Sequence, residues 1–445
     1  LHEIVMTSLI LGQWLLSSAD APPERGWGVA IESGQVAAIG SHADLRAQFP
    51  DAEVVDTTDC VITPGFVNAH HHLYGVLSHG IPLEHAPKDF RAFLEEFWWP
   101  RMEDALDHDL IRAAVDMACL EMVRSGVTTF YDVLEAPNAL PGCLQAEAEV
   151  VRRWGLRGAL SFEATQRVSQ DNGDLGLREN AEFIDACRKD AGLVSGLMCF
   201  HTTFTCDATF IRRAFMLGEQ HAALVHFHCA ESRYEPQHCQ RHFGMRPVEY
   251  YAKLGVLSPR AFASQCVQID RNEIDLLAGF GVKVSHMPLS NGEVGGGVAP
   301  APAMLAAGVP VSLGTDGYVN NYFALMRGAF LIHKAHLQNP QAMPANVVWK
   351  MATLNGAHDL DLAERVGRLK PGYSADLVLI DADTPTPLSA GNLMDQLLLW
   401  RDPAHVRSVM CAGRWLMRDG AVPGVDESQI RAKCREAAAR LWGIG

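Results

Sequence analysis

The chain has 445 residues, 48% hydrophobic and 20% charged, with 37 Lys plus Arg against 52 Asp plus Glu and a formal net charge of −15. That length suits a large barrel with an appended module, and the composition suits a soluble globular protein with a sizeable core. So acidic a surface, without a Lys/Arg cluster, argues against nucleic acid as a partner, and no uninterrupted apolar run is long enough to predict a membrane span.

The opening Leu1-His2-Glu3-Ile4-Val5 lacks a basic region, and its apolar run is broken by Gly12 and Gln13, so it reads as strand and not as a signal peptide. Short alternating runs at 3–10, 28–31, 35–39 and 52–55, with a hairpin turn at Glu32-Ser33-Gly34-Gln35, predict a small β module over 1–58. The pattern then changes. Apolar, β-branched runs at 61–67, 126–133, 156–162, 193–200, 223–229, 265–269, 282–286 and 309–313 alternate with amphipathic helical patterns such as 110–125, 140–154, 180–189, 210–221 and 270–279. Eight buried strands alternating with helices predict an α/β fold, a (β/α)8 TIM barrel over 59–365. Strands return at 368–369, 376–380, 406–411 and 414–417, the last two joined at Ala412-Gly413, and 427–442 reads as an amphipathic helix. The β module is therefore expected to be split, 1–58 with 366–445, around the inserted barrel. Eleven scattered cysteines without a C-x-x-C pair predict reduced thiols and a cytoplasmic location.

The residues with chemistry gather where barrel strands end. Pro64-Gly65-Phe66-Val67-Asn68-Ala69-His70-His71-His72 closes the first. Residues two apart on a strand share a side, so His70 and His72 can grip one ion while His71 points away. Imidazoles so placed suit zinc or iron. His226-Phe227-His228 ends the fifth strand; one histidine suffices as ligand, and His228, nearer the strand's end, is preferred. Glu231, three residues on, is within reach of a metal-bound water. Leu313-Gly314-Thr315-Asp316-Gly317 ends the eighth strand and offers Asp316 as ligand or proton acceptor. A cation with an open position lowers the pKa of bound water to about 7, and a nearby carboxylate can relay the proton. No G-x-S-x-G elbow, phosphate loop, Rossmann glycine run or H-x-E…P-C-x-x-C signature competes, and Gly295-Gly296-Gly297 reads as a flexible loop.

On these motifs, PGFVNAHHHL at 64–73, HCAES at 228–232, SHMPLSN at 285–291, LGTDG at 313–317 and GRLKPGYSADLVLID at 367–381, the chain resembles the amidohydrolase superfamily. The likeness is to its cytosine deaminase, triazine chlorohydrolase and S-adenosylhomocysteine deaminase branch. Segments 97–109 and 161–174 are similar to the SsnA-type aminohydrolases. The resemblance implies a composite β-sandwich from both chain ends and one divalent metal per chain held by His70, His72, His228 and Asp316. Zinc is expected there, with iron or manganese as alternatives. The site is expected to be mononuclear, because Leu197-Met198-Cys199-Phe200-His201 offers no bridging Lys; His201 is expected to contact substrate. Glu231 and Asp316 would move protons to a ring nitrogen and to departing ammonia. Gln265 stands where these deaminases carry a histidine on the sixth strand; it can donate a hydrogen bond but carries no charge. His286 reads either as a substrate contact or as a buried structural histidine. Trp98, in the loop after the first strand, reads either as a stacking wall for a flat heterocycle or as core packing. Glu163, Gln166 and Arg167 follow the third strand and could meet polar substrate edges. The expected function is hydrolytic release of ammonia from an amino-substituted N-heterocycle. The alternatives are another leaving group on the same fold and a barrel without catalysis. A small heterocyclic substrate and a homo-oligomer, dimer or larger, are the expected partners.

Overall fold

The computed structural model describes residues 7–83 and 85–444. Both chain ends build one mixed sheet in the order Arg414–Met417, Val406–Cys411, Leu377–Asp381, Glu53–Pro64, Ser8–Leu15, Trp27–Glu32 and Gln35–Ser41, with the short Glu24–Arg25 paired to Ser8–Leu15. Apolar side chains from strands of both ends, among them Ile10, Val29, Ile62, Leu377, Leu379 and Met410, share one core cluster. Two hairpins turn through left-handed pairs, Ser33-Gly34 and Ala412-Gly413, the geometry that matches strand twist. The turns press on each other: a Cβ on Gly413 would lie 2.4 Å from the Gly34 Cα, so glycine is required there. The strand expected at 3–10 begins at Ser8; residues 1–6 lie outside the described residues.

The barrel strands are Phe66–His71, Val127–Leu134, Arg157–Phe162, a fourth interrupted at Leu197 (Val194–Gly196 and Met198–Cys199), Val225–Cys229, Ala261–Gln265, Lys283–His286 and Val311–Leu313. All pair in parallel with their sequence neighbours. A parallel bridge between His71 and Asp316, with the Asp316 N–H donating to the His70 carbonyl at 3.1 Å, joins the eighth strand end to the first.

Several boundaries differ from the sequence expectation. The first barrel strand is Phe66–His71, not 61–67, because residues 61–64 finish the long terminal strand Glu53–Pro64. One apolar run serves two strands, divided at Gly65, where a Cβ would lie 2.1 Å from the Thr128 hydroxyl. The sixth is Ala261–Gln265, not 265–269: its alanines are weak strand formers, and Gln265 and Cys266 (φ 71° and 48°) end it. The helix expected at 180–189 runs Gln170–Asp190, capped by Ser169; Gly173 and Gly176 had masked its first turns. Residues 368–369 form no strand, and the Leu369 N–H donates to the Ser17 carbonyl at 2.8 Å.

The last helix, Glu427–Trp442, lies where expected and packs on the helix His108–Arg124 through an Arg124–Glu427 ion pair. Its Trp442 indole donates to the Leu77 carbonyl at 2.8 Å. That bond fixes the segment following His72, so the far end of the chain steadies the mouth of the barrel.

Candidate metal centre and cavity

Three strand ends bring His70, His72, His228 and Asp316 together, all of them buried. The Asp316 Oδ1 lies 3.6 Å from His70 Nε2 and 3.2 Å from His72 Nε2. His70, His72 and His228 offer nitrogens mutually within 4.8 Å. The rear of each ring is occupied: His70 Nδ1 meets His226 Nε2 at 3.2 Å, His72 Nδ1 donates to the Val133 carbonyl at 2.7 Å, and His228 Nδ1 lies 2.6 Å from Glu163 Oε1. The same strand alternation that aligns His226 with His228 thus gives His226 a supporting place behind His70.

Burial lowers the histidines, His72 to about 3 and His228 to about 4, so both are neutral near pH 7, as ligands must be. Burial would raise Asp316, yet the His70, His72 and His228 rings that face it hold its carboxyl well below the usual range. His70 Nε2 is buried without a hydrogen-bond partner. An orphaned imidazole nitrogen, two further histidines and an ionised carboxylate are the donor set of a divalent transition metal, and the residues present fit one.

Asp316 takes its place at a backbone cost. Its φ is 58°, left-handed for a residue with a Cβ, and Ala230 (49°), Gln265 (71°) and Cys266 (48°) share that geometry at neighbouring strand ends. Asn68 braces this corner, donating to the Thr315 hydroxyl at 2.7 Å and accepting from the Thr315 N–H at 3.0 Å. The second oxygen of Asp316 accepts from Gln265 Nε2 at 2.8 Å and from the Ser290 hydroxyl at 2.7 Å. Asn291 donates to the Gln265 carbonyl, which fixes the amide with its NH2 toward Asp316.

This cluster floors a cavity of about 1190 Å³. Glu231 lines it, its carboxyl pushed well up by burial and by Asp316. His201 lines it too, its Nδ1 bound to the Thr205 hydroxyl at 2.9 Å and its pKa depressed by burial, so the ring is neutral. Trp98 forms part of the wall while also stacking on Phe93 at 5.5 Å. His286 lies elsewhere: it is fully buried, its Nε2 meets His333 Nε2 at 3.0 Å, and it is not among the cavity-lining residues.

Ser290 and Asn291, in the same SHMPLSN stretch as His286, are the polar residues that reach the centre, and sequence reading passed over them. Their signal was the short helix Pro288–Glu293 that follows the strand and turns them inward. Glu103 and Glu135 were also passed over. Together with Glu163 they form a buried carboxyl group mutually within 4.8 Å, where Arg167 pairs with Glu103 (3.2 Å), Asp104 (2.8 Å) and Glu135. Burial raises Glu135 and Glu163 to about 8 each. Among the described residues no helix is long and apolar enough to cross a membrane.

The sequence model of the Amidohydrolase family matches residues 61–416, and that of the imidazolonepropionase-like composite domain of bacteria matches 28–52. A 5'-deoxyadenosine deaminase of Methanothermobacter thermautotrophicus is 34% identical over 98% of this chain and 99% of its own length. A 5-methylthioadenosine/S-adenosylhomocysteine deaminase of Haloarcula marismortui is 33% identical over 93% of each. Among solved structures, a zinc-bound adenosine deaminase from Xanthomonas campestris superposes with a TM-score of 0.89 at 25% identity over 99% of both chains. A zinc-bound atrazine chlorohydrolase of Arthrobacter aurescens shares the fold, with a TM-score of 0.82 at 20% identity over 97% of this chain and 100% of that one.

Proposed function

The chain belongs to the amidohydrolase family, and from that premise we propose that it is a zinc-dependent aminohydrolase releasing ammonia from the adenine ring of 5'-modified nucleosides. The observation that carries the reading is the convergence of His70, His72, His228 and Asp316 beneath a cavity that Glu231 also lines. The nucleoside deaminases among its relatives support the substrate class, and the zinc in its structural neighbours supports the metal.

His70, His72, His228 and Asp316 would hold the ion, which supplies a water acidic enough to lose its proton near pH 7 and a positive charge opposite the developing oxyanion. Glu231 carries the first proton. Its carboxyl accepts it from water and delivers it to the ring nitrogen beside the amino-bearing carbon. Asp316 carries the second to the departing amine, its Oδ2 held in place by Gln265 and Ser290. The products are the oxo-heterocycle and ammonia, so water supplies both the oxygen and the hydrogen. Neutral His201 can hydrogen-bond the far edge of the ring, and Trp98 can cover its face. The cavity volume leaves room beyond a base for a ribose with a 5' substituent.

Three finer expectations go with this reading: a homo-oligomer of two or more chains, a cytoplasmic location, and the assignment of 59–365 to the catalytic barrel. Exposed Trp400, Leu331 and Leu337 support the first, and cysteines without disulfides the second.

The test is ammonia release by zinc-reconstituted protein from 5'-deoxyadenosine, methylthioadenosine, adenosine, guanine and cytosine. Turnover of the 5'-modified nucleosides that vanishes in Glu231→Gln is expected. Protein holding one zinc per chain that turns over none of the adenine nucleosides would overturn the assignment.

A further inference from the structure

A metal-binding imidazole is useful only if its ring is held with one nitrogen forward, and that hold comes from whatever grips the other nitrogen. Behind His70 it is a second imidazole, His226, and behind His72 it is the Val133 carbonyl. Behind His228 it is the carboxyl of Glu163, at 2.6 Å from Nδ1. The two atoms meet at ion-pair distance, neither has a hydrogen-bond partner elsewhere or in hydrogen-bond geometry with the other, and both residues are nearly solvent-free.

We infer that Glu163 is the positioning residue for His228, its carboxyl set against Nδ1 so that Nε2 faces the cation. The inference rests on the metal-centre reading above and names the residue on which its fifth-strand ligand depends. Of the three rear contacts it is the shortest and the only one made by a carboxyl group, so its removal should be felt most.

Glu163 is well placed for the task. It directly follows the strand Arg157–Phe162, and its N–H donates to the Leu134 carbonyl at 2.8 Å, which fixes its backbone. Its carboxyl packs against Glu135, itself paired with Arg167, whose guanidinium also lies 5.1 Å over the Trp99 ring. The arm that reaches His228 is therefore clamped along its length by buried groups. Glu163 borders the cavity as well, and a role in reading substrate would make a different prediction: a raised KM with metal affinity intact.

The experiment titrates metal-free protein with zinc against a competing chelator of known affinity and, separately, with cobalt, whose visible bands report ligand geometry. Glu163→Gln should weaken zinc about 10- to 100-fold and shift the cobalt bands. Glu163→Asp, which keeps the carboxyl but shortens the arm, should fall between it and the parent and serves if Glu163→Gln fails to fold. Zinc affinity within twofold of the parent together with unchanged cobalt bands would overturn the inference, whatever happens to KM. No substrate enters the titration, so failure of the deaminase assignment leaves the result readable. A parent chain that binds no zinc would overturn this inference and the metal centre together.

Discussion

Gln265 is the point at which the catalytic proposal is most exposed to experiment. Its amide donates to Asp316 Oδ2 at 2.8 Å, and its carbonyl accepts from Asn291. Gln265→Leu keeps the volume and removes both bonds. A hydrogen bond to a charged group is worth about 1.5–3 kcal/mol, and a buried amide left unpaired costs about 1–3 kcal/mol. The first figure bears on Asp316. Losing it from a carboxylate that must hold and release a proton predicts a fall in kcat/KM of about 10- to 150-fold. The second bears on the fold, through the stranded Asn291. Removing a donor that favours the ionised form raises the pKa of Asp316, so the acidic limb of the pH–rate profile should move to higher pH. The assay is ammonia release from 5'-deoxyadenosine across pH, with zinc per chain measured on the same preparations. If kcat/KM stays within twofold of the parent at full zinc and the acidic limb does not move, Gln265 has no hold on Asp316 that matters to turnover, and the role given to it is wrong.

Other perturbations probe separate parts of the molecule. Asp132 and Glu147 face each other in full burial; burial raises Asp132 from 3.8 to about 7, and burial with the Asp132 charge raises Glu147 well above its ordinary value. Because the folded pKa lies above the unfolded one, the folded state binds extra protons between these values, and stability declines as pH rises from about 4 to 7. Glu147→Gln should therefore raise the melting temperature more at pH 8 than at pH 5, and parallel curves for the two proteins would refute the pairing. His226→Ala removes the group behind His70 and should weaken zinc about 10- to 100-fold in the chelator competition; unchanged affinity would leave His226 a packing residue. Trp98→Ala separates stacking from packing. If the ring covers a base, KM should rise at least about fivefold with little change in kcat, since base–aromatic stacking is worth about 1–3 kcal/mol. A lower melting temperature with KM unchanged would assign Trp98 to its stack on Phe93.

Much of this was legible in the chain before any fold was seen, and for a definite reason. The residues that face the cation come from strand ends, where alternation by two decides what points inward, so His70 with His72, and His228 with Asp316, could be picked from spacing and position alone. What alternation cannot report is the partner across the barrel. Sequence placed His226 on the same side as His228, but only the packed barrel sets its ring behind His70. His286 carried the chemically suggestive side chain in its motif, yet its strand turns it outward to His333, while Ser290 and Asn291 on the following helix do the reaching. Glu163 was noticed for its place after the third strand, and its distance to His228 is a fact of strand curvature that no one-dimensional pattern holds. Strand boundaries failed where one apolar run fed two sheets, at 61–67, and where small residues made a strand look like a loop, at 261–265.

The pairing of Glu53–Pro64 with Leu377–Asp381 also governs how the protein must be made. More than three hundred residues separate the two partners along the chain, so a ribosome working at about 5–20 residues per second delivers the second strand roughly 15–60 s after the first. During that interval Glu53–Pro64 has its Ser8–Leu15 neighbour but shows an open row of amide and carbonyl groups on its other side, along Cys60–Pro64, the part of the strand that the finished fold buries. Such a strand is a template for any other nascent chain with the same vacancy. Crowded expression should therefore lose protein to association of half-made chains, and a slower supply of new chains should recover it without any change in sequence.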